Sequence, residues 1–141
     1  MYWRPFDAMD LRGLILQPAQ WSLSDLIRKP SYGRDLQSSG PGFTLTDGET
    51  VLVCAGLVRV WEDRAQAWSL LGAGAGRHMV TIYRGMSSFL AMQKVARIEA
   101  TVDTDFEAGH RLARMLGFVR EGTMRAYNNG RDADLYSRVM P

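Results

Sequence analysis

The chain has 141 residues, 46% of them hydrophobic and 23% charged; this is ordinary usage for one hydrophobic core and excludes a disordered chain. Its 17 Lys and Arg against 15 Asp and Glu leave a net charge of +2, spread without the basic run that phosphate-backbone binding demands, so nucleic acid is excluded as an expected partner. No apolar run is long enough to span a bilayer, and Met1-Tyr2-Trp3-Arg4-Pro5 lacks the apolar core of a signal peptide, so a cytoplasmic protein with no membrane partner is expected.

Residues 2–6 read as a short strand, and Asp7 is placed to cap a helix carrying Leu11, Leu14 and Ile15 on one face, with Pro18 as its end. A second helical piece covers residues 22–28. Pro30, Gly33, Ser38, Ser39, Gly40, Pro41 and Gly42 then form the most loop-like stretch of the chain.

From Phe43 the period changes to that of strands. Residues 43–46 and 51–61 flank Asp47-Gly48, a two-residue type I′ hairpin signal, because both turn positions need positive φ. Cys54, the only cysteine, lies inside this apolar run and has no intramolecular partner; a small buried hydrophobe in a reducing compartment is expected. A reversal at Glu62, Asp63 and Arg64 leads into a third strand at residues 65–71.

Gly72, Ala73, Gly74, Ala75 and Gly76 break that strand. A helix beginning near Arg77 follows, in which Met79, Ile82, Tyr83, Met86, Phe89 and Leu90 recur at helical spacing. A strand, a glycine-rich turn and a helix in this order suit a phosphate-bearing cofactor, since main-chain N–H groups and the helix dipole both favour an anion. Residues 96–102 alternate as a strand. Thr104 and Glu107 have capping-box spacing at the head of a last helix that carries Phe106, Gly109, Ala113 and Leu116 on one face and stops at Gly117. A final hairpin pairs residues 118–127 with 132–139 across Asn129-Gly130.

The elements read β α α β β β α β α β β, an α+β single domain over residues 1–141 with a mixed sheet of about seven strands and four helices. This order, together with Ala108-Gly109-His110-Arg111-Leu112, Leu116-Gly117-Phe118, Glu121-Gly122, Arg125, Gly130, Asp134 and Tyr136, resembles the GCN5-related N-acetyltransferase superfamily, in its ribosomal-protein and amino-acid acetylating branch. The resemblance implies acetyl-CoA as co-substrate, no metal, and direct attack of an unknown amine, from a small molecule or a protein, on the thioester. Similar short domains occur in tailed bacteriophages. The alternative is therefore a catalytically silent domain acting as a virion or assembly component, with a further copy of the chain or a viral assembly as partner and the virion as location.

By the same resemblance, acetyl-CoA is expected along Leu70, Leu71, Gly72, Gly74, Gly76, Arg77 and His78. The glycine pattern departs from the family's, with Leu71 where Gln or Arg is usual. Glu99 is the candidate general base, against the plainer reading of a carboxylate paired with a neighbouring Arg. Phe106 and Ala113 stand where the family often has a cofactor-touching Asn and a Tyr that protonates the leaving thiolate. His110 and Tyr136 are read as structural or packing residues, and Trp21 and Tyr32 lie in the region that shapes the acceptor site.

Overall fold

A computed structural model describes residues 1–140. In chain order the elements are β1 (Tyr2–Pro5), α1 (Ser24–Ile27), α2 (Pro30–Ser38), β2 (Gly42–Thr46), β3 (Val51–Trp61), β4 (Arg64–Leu71), α3 (Met79–Ala91), β5 (Arg97–Asp103), α4 (Glu107–Met115), β6 (Val119–Asn128) and β7 (Arg131–Val139). The seven strands form one mixed sheet in the order β1-β2-β3-β4-β5-β7-β6. Its neighbours are antiparallel except β4 and β5.

The central strand β3 is apolar on both faces, and Leu52, Val53, Cys54, Ala55 and Leu57 are all buried, as a strand covered on both sides requires. One face carries the 3₁₀ turns of the first 23 residues with α1 and α2, around Phe6, Leu11, Leu14, Ile27 and Leu36. The other carries α3 and α4, around Ile82, Met86, Leu90, Ile98, Ala113 and Tyr136. Cys54 is buried, and burial pushes its thiol up to about 12, which leaves it an inert packing residue.

Several local expectations are corrected. Asp7 does cap its turn, but only the 3₁₀ turn Ala8–Leu11 forms, because Gly13 turns left-handed at φ +72°. Pro18 starts rather than ends a segment: it opens the 3₁₀ turn Pro18–Leu23, which runs into α1. The loop-like stretch after Lys29 is mostly helical. Pro30 fits the first helical position, where no N–H bond is lost, and Gly33 lets α2 approach Ala8 so closely that a Cβ would lie 3.1 Å from its carbonyl. Packing overrides the weak helix propensity there.

Asp47-Gly48 belongs to a four-residue loop rather than a two-residue turn. Asp47 Oδ1 accepts from the N–H groups of Glu49 and Thr50 at 2.9 and 2.6 Å, and of this pair only Gly48 has positive φ. The capping box at Thr104 is absent, since its hydroxyl donates to Asp134 and Phe106 is the N-cap of α4. The C-terminal end of α4 is as expected. Gly117 sits at φ +90°, its N–H bonds Arg114 O, and the N–H of Phe118 bonds Ala113 O, both at 3.0 Å, which is the Schellman pattern. Asn129 and Gly130 have φ of 54° and 84° and join β6 to β7 as the two-residue turn predicts.

Candidate functional site

β4 and β5 run side by side for three residue pairs, Arg64 with Arg97, Ala65 with Ile98 and Gln66 with Glu99. They then part. β4 stays registered on β3 as far as Val53 and Leu71, whereas β5 stays on β7 as far as Asp103 and Ala133, so the antiparallel neighbours pull the two strands in different directions. A cavity of about 570 Å³ fills the fork, walled by Trp68 and Leu71 of β4, Ala100 and Val102 of β5, Met86 and Phe89 of α3, and Leu112 and Ala113 of α4. Its only charged lining groups among the described residues are Asp103 and Arg131, which pair with each other at 3.0 Å.

At the far end of β4, Gly72 is buried and donates to Leu52 O at 2.8 Å, and Ala75 donates to Gly72 O at 3.0 Å. Gly74 and Gly76 are exposed, and neither has positive φ. A Cβ at Gly74 would meet only Leu52 Cδ2 at 4.0 Å, and one at Gly76 would meet nothing within 4 Å. Neither packing nor backbone strain therefore explains these glycines. What they leave is open space above the loop, which a Cβ would fill.

The helix begins later than expected. Residues Ala75–His78 form a 3₁₀ turn and α3 starts at Met79, with no side-chain cap and no acidic residue in its first turn. With no side-chain cap, the positive end of this 13-residue helix and the turn that leads into it suit an anion. Arg77 is exposed and His78 half-buried beside them. Of the expected cofactor residues, Leu70, Leu71 and Gly76 line the cavity; Gly72, Gly74, Arg77 and His78 belong to the adjoining turn.

Two glutamines absent from the sequence reading reach this strand. The Gln20 carboxamide donates to Ser69 O at 2.8 Å and accepts from Leu71 N–H at 2.9 Å, while the Gln17 N–H donates to Leu71 O at 2.9 Å. Contacts about fifty residues apart in the chain leave no local periodicity by which to find them.

Glu99 is buried, at 7% exposure, and lines a separate small cavity of about 60 Å³ with Gln66, Thr101 and Tyr127 rather than the large one. Arg64 Nε lies 2.9 Å and Arg97 Nε 2.7 Å from its Oε2, and Arg64 Nη2 donates to Oε1 at 3.1 Å. Hydrogen bonding from Arg64 first, then Arg97, outweighs burial and holds the carboxyl below its ordinary range. Arg97 also pairs with Glu121 at 2.7 Å.

Behind α4, His110 Nε2 donates to Thr104 O at 2.9 Å, which leaves Nδ1 to accept the Tyr136 hydroxyl at 2.7 Å. Tyr136 is fully buried, so both groups are spent on the structure. Phe106 and Ala113 present only apolar surface to the cavity. Of the two acceptor-side aromatics, Tyr32 lines the cavity, and burial raises its hydroxyl. Trp21 instead donates its indole N–H to Leu16 O at 2.9 Å.

No protein-family model matches the chain, and no curated protein does. Solved structures do. A ribosomal-protein-alanine N-acetyltransferase from Brucella melitensis superposes at TM-score 0.75 with 14% identity, covering 99% of this chain and 100% of the other. The ribosomal-protein-S5-alanine acetyltransferase from Vibrio fischeri matches at 0.68 with 18% identity over 97% and 91% of the two chains. An N-acetyltransferase from Staphylococcus aureus Mu50 matches at 0.66 with 17% identity over 98% and 97%. Identities of this size establish the shared fold.

Proposed function

Taking the GCN5-related N-acetyltransferase fold as premise, we propose that this chain binds acetyl-CoA in the fork between β4 and β5 and transfers its acetyl group to an amine. The observation that carries the reading is the fork itself: a sheet edge opened beside an apolar cavity, leading to glycines that keep space free before an uncapped helix. The pyrophosphate would lie on the turn of Gly72, Gly74, Gly76, Arg77 and His78. Leu70 and Leu71 would supply the wall of β4 beside the pantetheine arm.

The amine nitrogen attacks the thioester carbonyl carbon, the C–N bond forms, the C–S bond breaks, and the amine's proton passes to the departing thiolate or to solvent. The N–H of Ser69 points to the same edge as its carbonyl and is not taken by Gln20, so it is the main-chain donor available to polarise a carbonyl there. With Ala113 where a hydroxyl acid would stand, the rate comes from positioning and polarisation. For Glu99 to serve as base its two guanidinium partners must first release it; held ionised, it is a weak proton acceptor.

The acceptor end of the cavity is lined by Leu23, Tyr32 and Trp68 and, among the described residues, offers no unpaired carboxylate to an ammonium group, which suits an apolar or peptide-borne amine. A second reading, a catalytically silent domain, is favoured by one observation: Gln17 and Gln20 already occupy the β4 edge. Incubation with acetyl-CoA and a panel of amines separates the two. N-acetylated product by mass spectrometry, with stoichiometric free CoA thiol, supports transfer; the absence of both acetyl-CoA binding and product on any amine supports the silent domain.

A further inference from the structure

The opened edge of β4 is not bare. Beyond Gln66, three of its main-chain groups and one just past its end are taken by one short segment: Ser69 O by Gln20 Nε2, Leu71 N–H by Gln20 Oε1, Leu71 O by Gln17 N–H, and Ala73 N–H by Ile15 O at 2.7 Å. Leu16 and Gly72 form an isolated antiparallel bridge between the same two pieces. A carboxamide places N–H donors beside a carbonyl acceptor, as main chain does, so Gln20 completes the edge as a residue of an added strand would.

The part of the segment that carries Gln20 is weakly anchored. Leu16 is buried, but the 3₁₀ turn Pro18–Leu23 buries no residue, and Trp21 within it is 63% exposed. Leu23 at its end packs partly buried against the core, but Gln20 itself is held on the strand by hydrogen bonds, and such bonds exchange for others at little net cost. An extended ligand bearing successive amides needs the same main-chain groups.

From this geometry we infer that Gln20 is a latch: it closes the β4 edge in the free protein, and the pantetheine arm of an acyl-CoA must displace it while Leu16 stays seated. The inference rests on the cofactor reading above. It names Gln20 as the residue that sets how readily the cleft admits its ligand.

The test is calorimetric titration of wild type, Gln20→Ala and Gln20→Met with acetyl-CoA and, separately, with adenosine 3′,5′-bisphosphate, which lacks the pantetheine arm. Gln20→Met keeps the bulk of the side chain and removes both of its hydrogen bonds to β4, together with the one it accepts from Gln17 Nε2 at 3.4 Å. The latch predicts acetyl-CoA binding about tenfold tighter in both variants than in wild type, with unchanged binding of the nucleotide. Wild-type binding with equal or weaker affinity in the variants overturns the latch and leaves the cofactor reading intact. Equal tightening of both ligands also overturns it. If no protein binds acetyl-CoA at millimolar concentration, the cofactor reading falls and the latch with it.

Discussion

Glu99 stands across from Gln66 at the last pair that β4 and β5 share, and its carboxylate reaches back to clasp both Arg64 and Arg97. Those two arginines are themselves register partners on adjacent strands, and like charges placed side by side on a sheet repel. Glu99 thus neutralises the root of the fork at the point where the strands begin to separate.

Glu99→Gln leaves two guanidinium groups facing each other without their shared anion and is expected to destabilise the protein by about 1–3 kcal/mol, read as a lower urea midpoint. Unchanged stability would show the cluster idle. If Glu99 is also the base, single-turnover acetyl transfer falls by about two to four orders of magnitude with acetyl-CoA affinity retained; an unchanged rate confines it to the fork.

Gly117 and Gly109 are needed for different reasons, which two substitutions separate. A Cβ at Gly117 would meet only Arg138 Nε at 3.7 Å, so the cost of Gly117→Val, at least about 1 kcal/mol, is set first by the left-handed backbone. At Gly109 a Cβ would sit 2.6 Å from Phe106 Cδ2 and 2.7 Å from Val102 Cγ1, so Gly109→Ala must displace these side chains or the helix that carries it. Thermal unfolding should show both losses, with Gly76→Ala close to wild type. A Gly117→Val protein as stable as wild type would refute this helix end.

Asp134 predicts an acid-sensitive C-terminal hairpin. Arg120 Nε at 2.9 Å, then the hydroxyls of Thr123 and Thr104, hold its carboxyl at about 2. The folded value lies below the unfolded value of about 3.9, so the stabilisation is complete above that range and is lost as pH falls from about 4 through 2. Asp134→Asn should flatten this limb of the stability-versus-pH curve and lower stability at neutral pH. An identical acid limb in the variant would contradict the assignment.

The order of strands and helices was legible because each rests on a local signal: the apolar run of β3, the alternation of Ile98, Ala100 and Val102, the Gly117 stop and the Asn129-Gly130 turn. Residues 30–38 were misread because Pro, Gly and Ser signal loops locally, whereas the helix there is fixed by the contact of Gly33 with Ala8. Thr104 was misread for a similar reason, its hydroxyl being claimed by Asp134 from a strand thirty residues on. In the site, the glycine turn could be located from composition. The clasp on Glu99 was anticipated only as some neighbouring Arg, and Gln20 was invisible because its partners are main-chain atoms, which leave no trace in residue identity.

The most direct measurement is thermal unfolding of the wild type and of a Gly74→Val, Gly76→Val double variant with and without acetyl-CoA. A Cβ is accommodated at both positions without a close contact, so the unliganded variant should unfold near the wild-type temperature. At about a hundred times its dissociation constant, acetyl-CoA should stabilise wild type by roughly 2.7 kcal/mol, a shift of several degrees. The variant, with side chains filling the space kept for the phosphates, should show little or no shift. A wild type that shows no shift at millimolar acetyl-CoA, or a double variant that shifts as much as wild type, would contradict the placement of the cofactor in this fork.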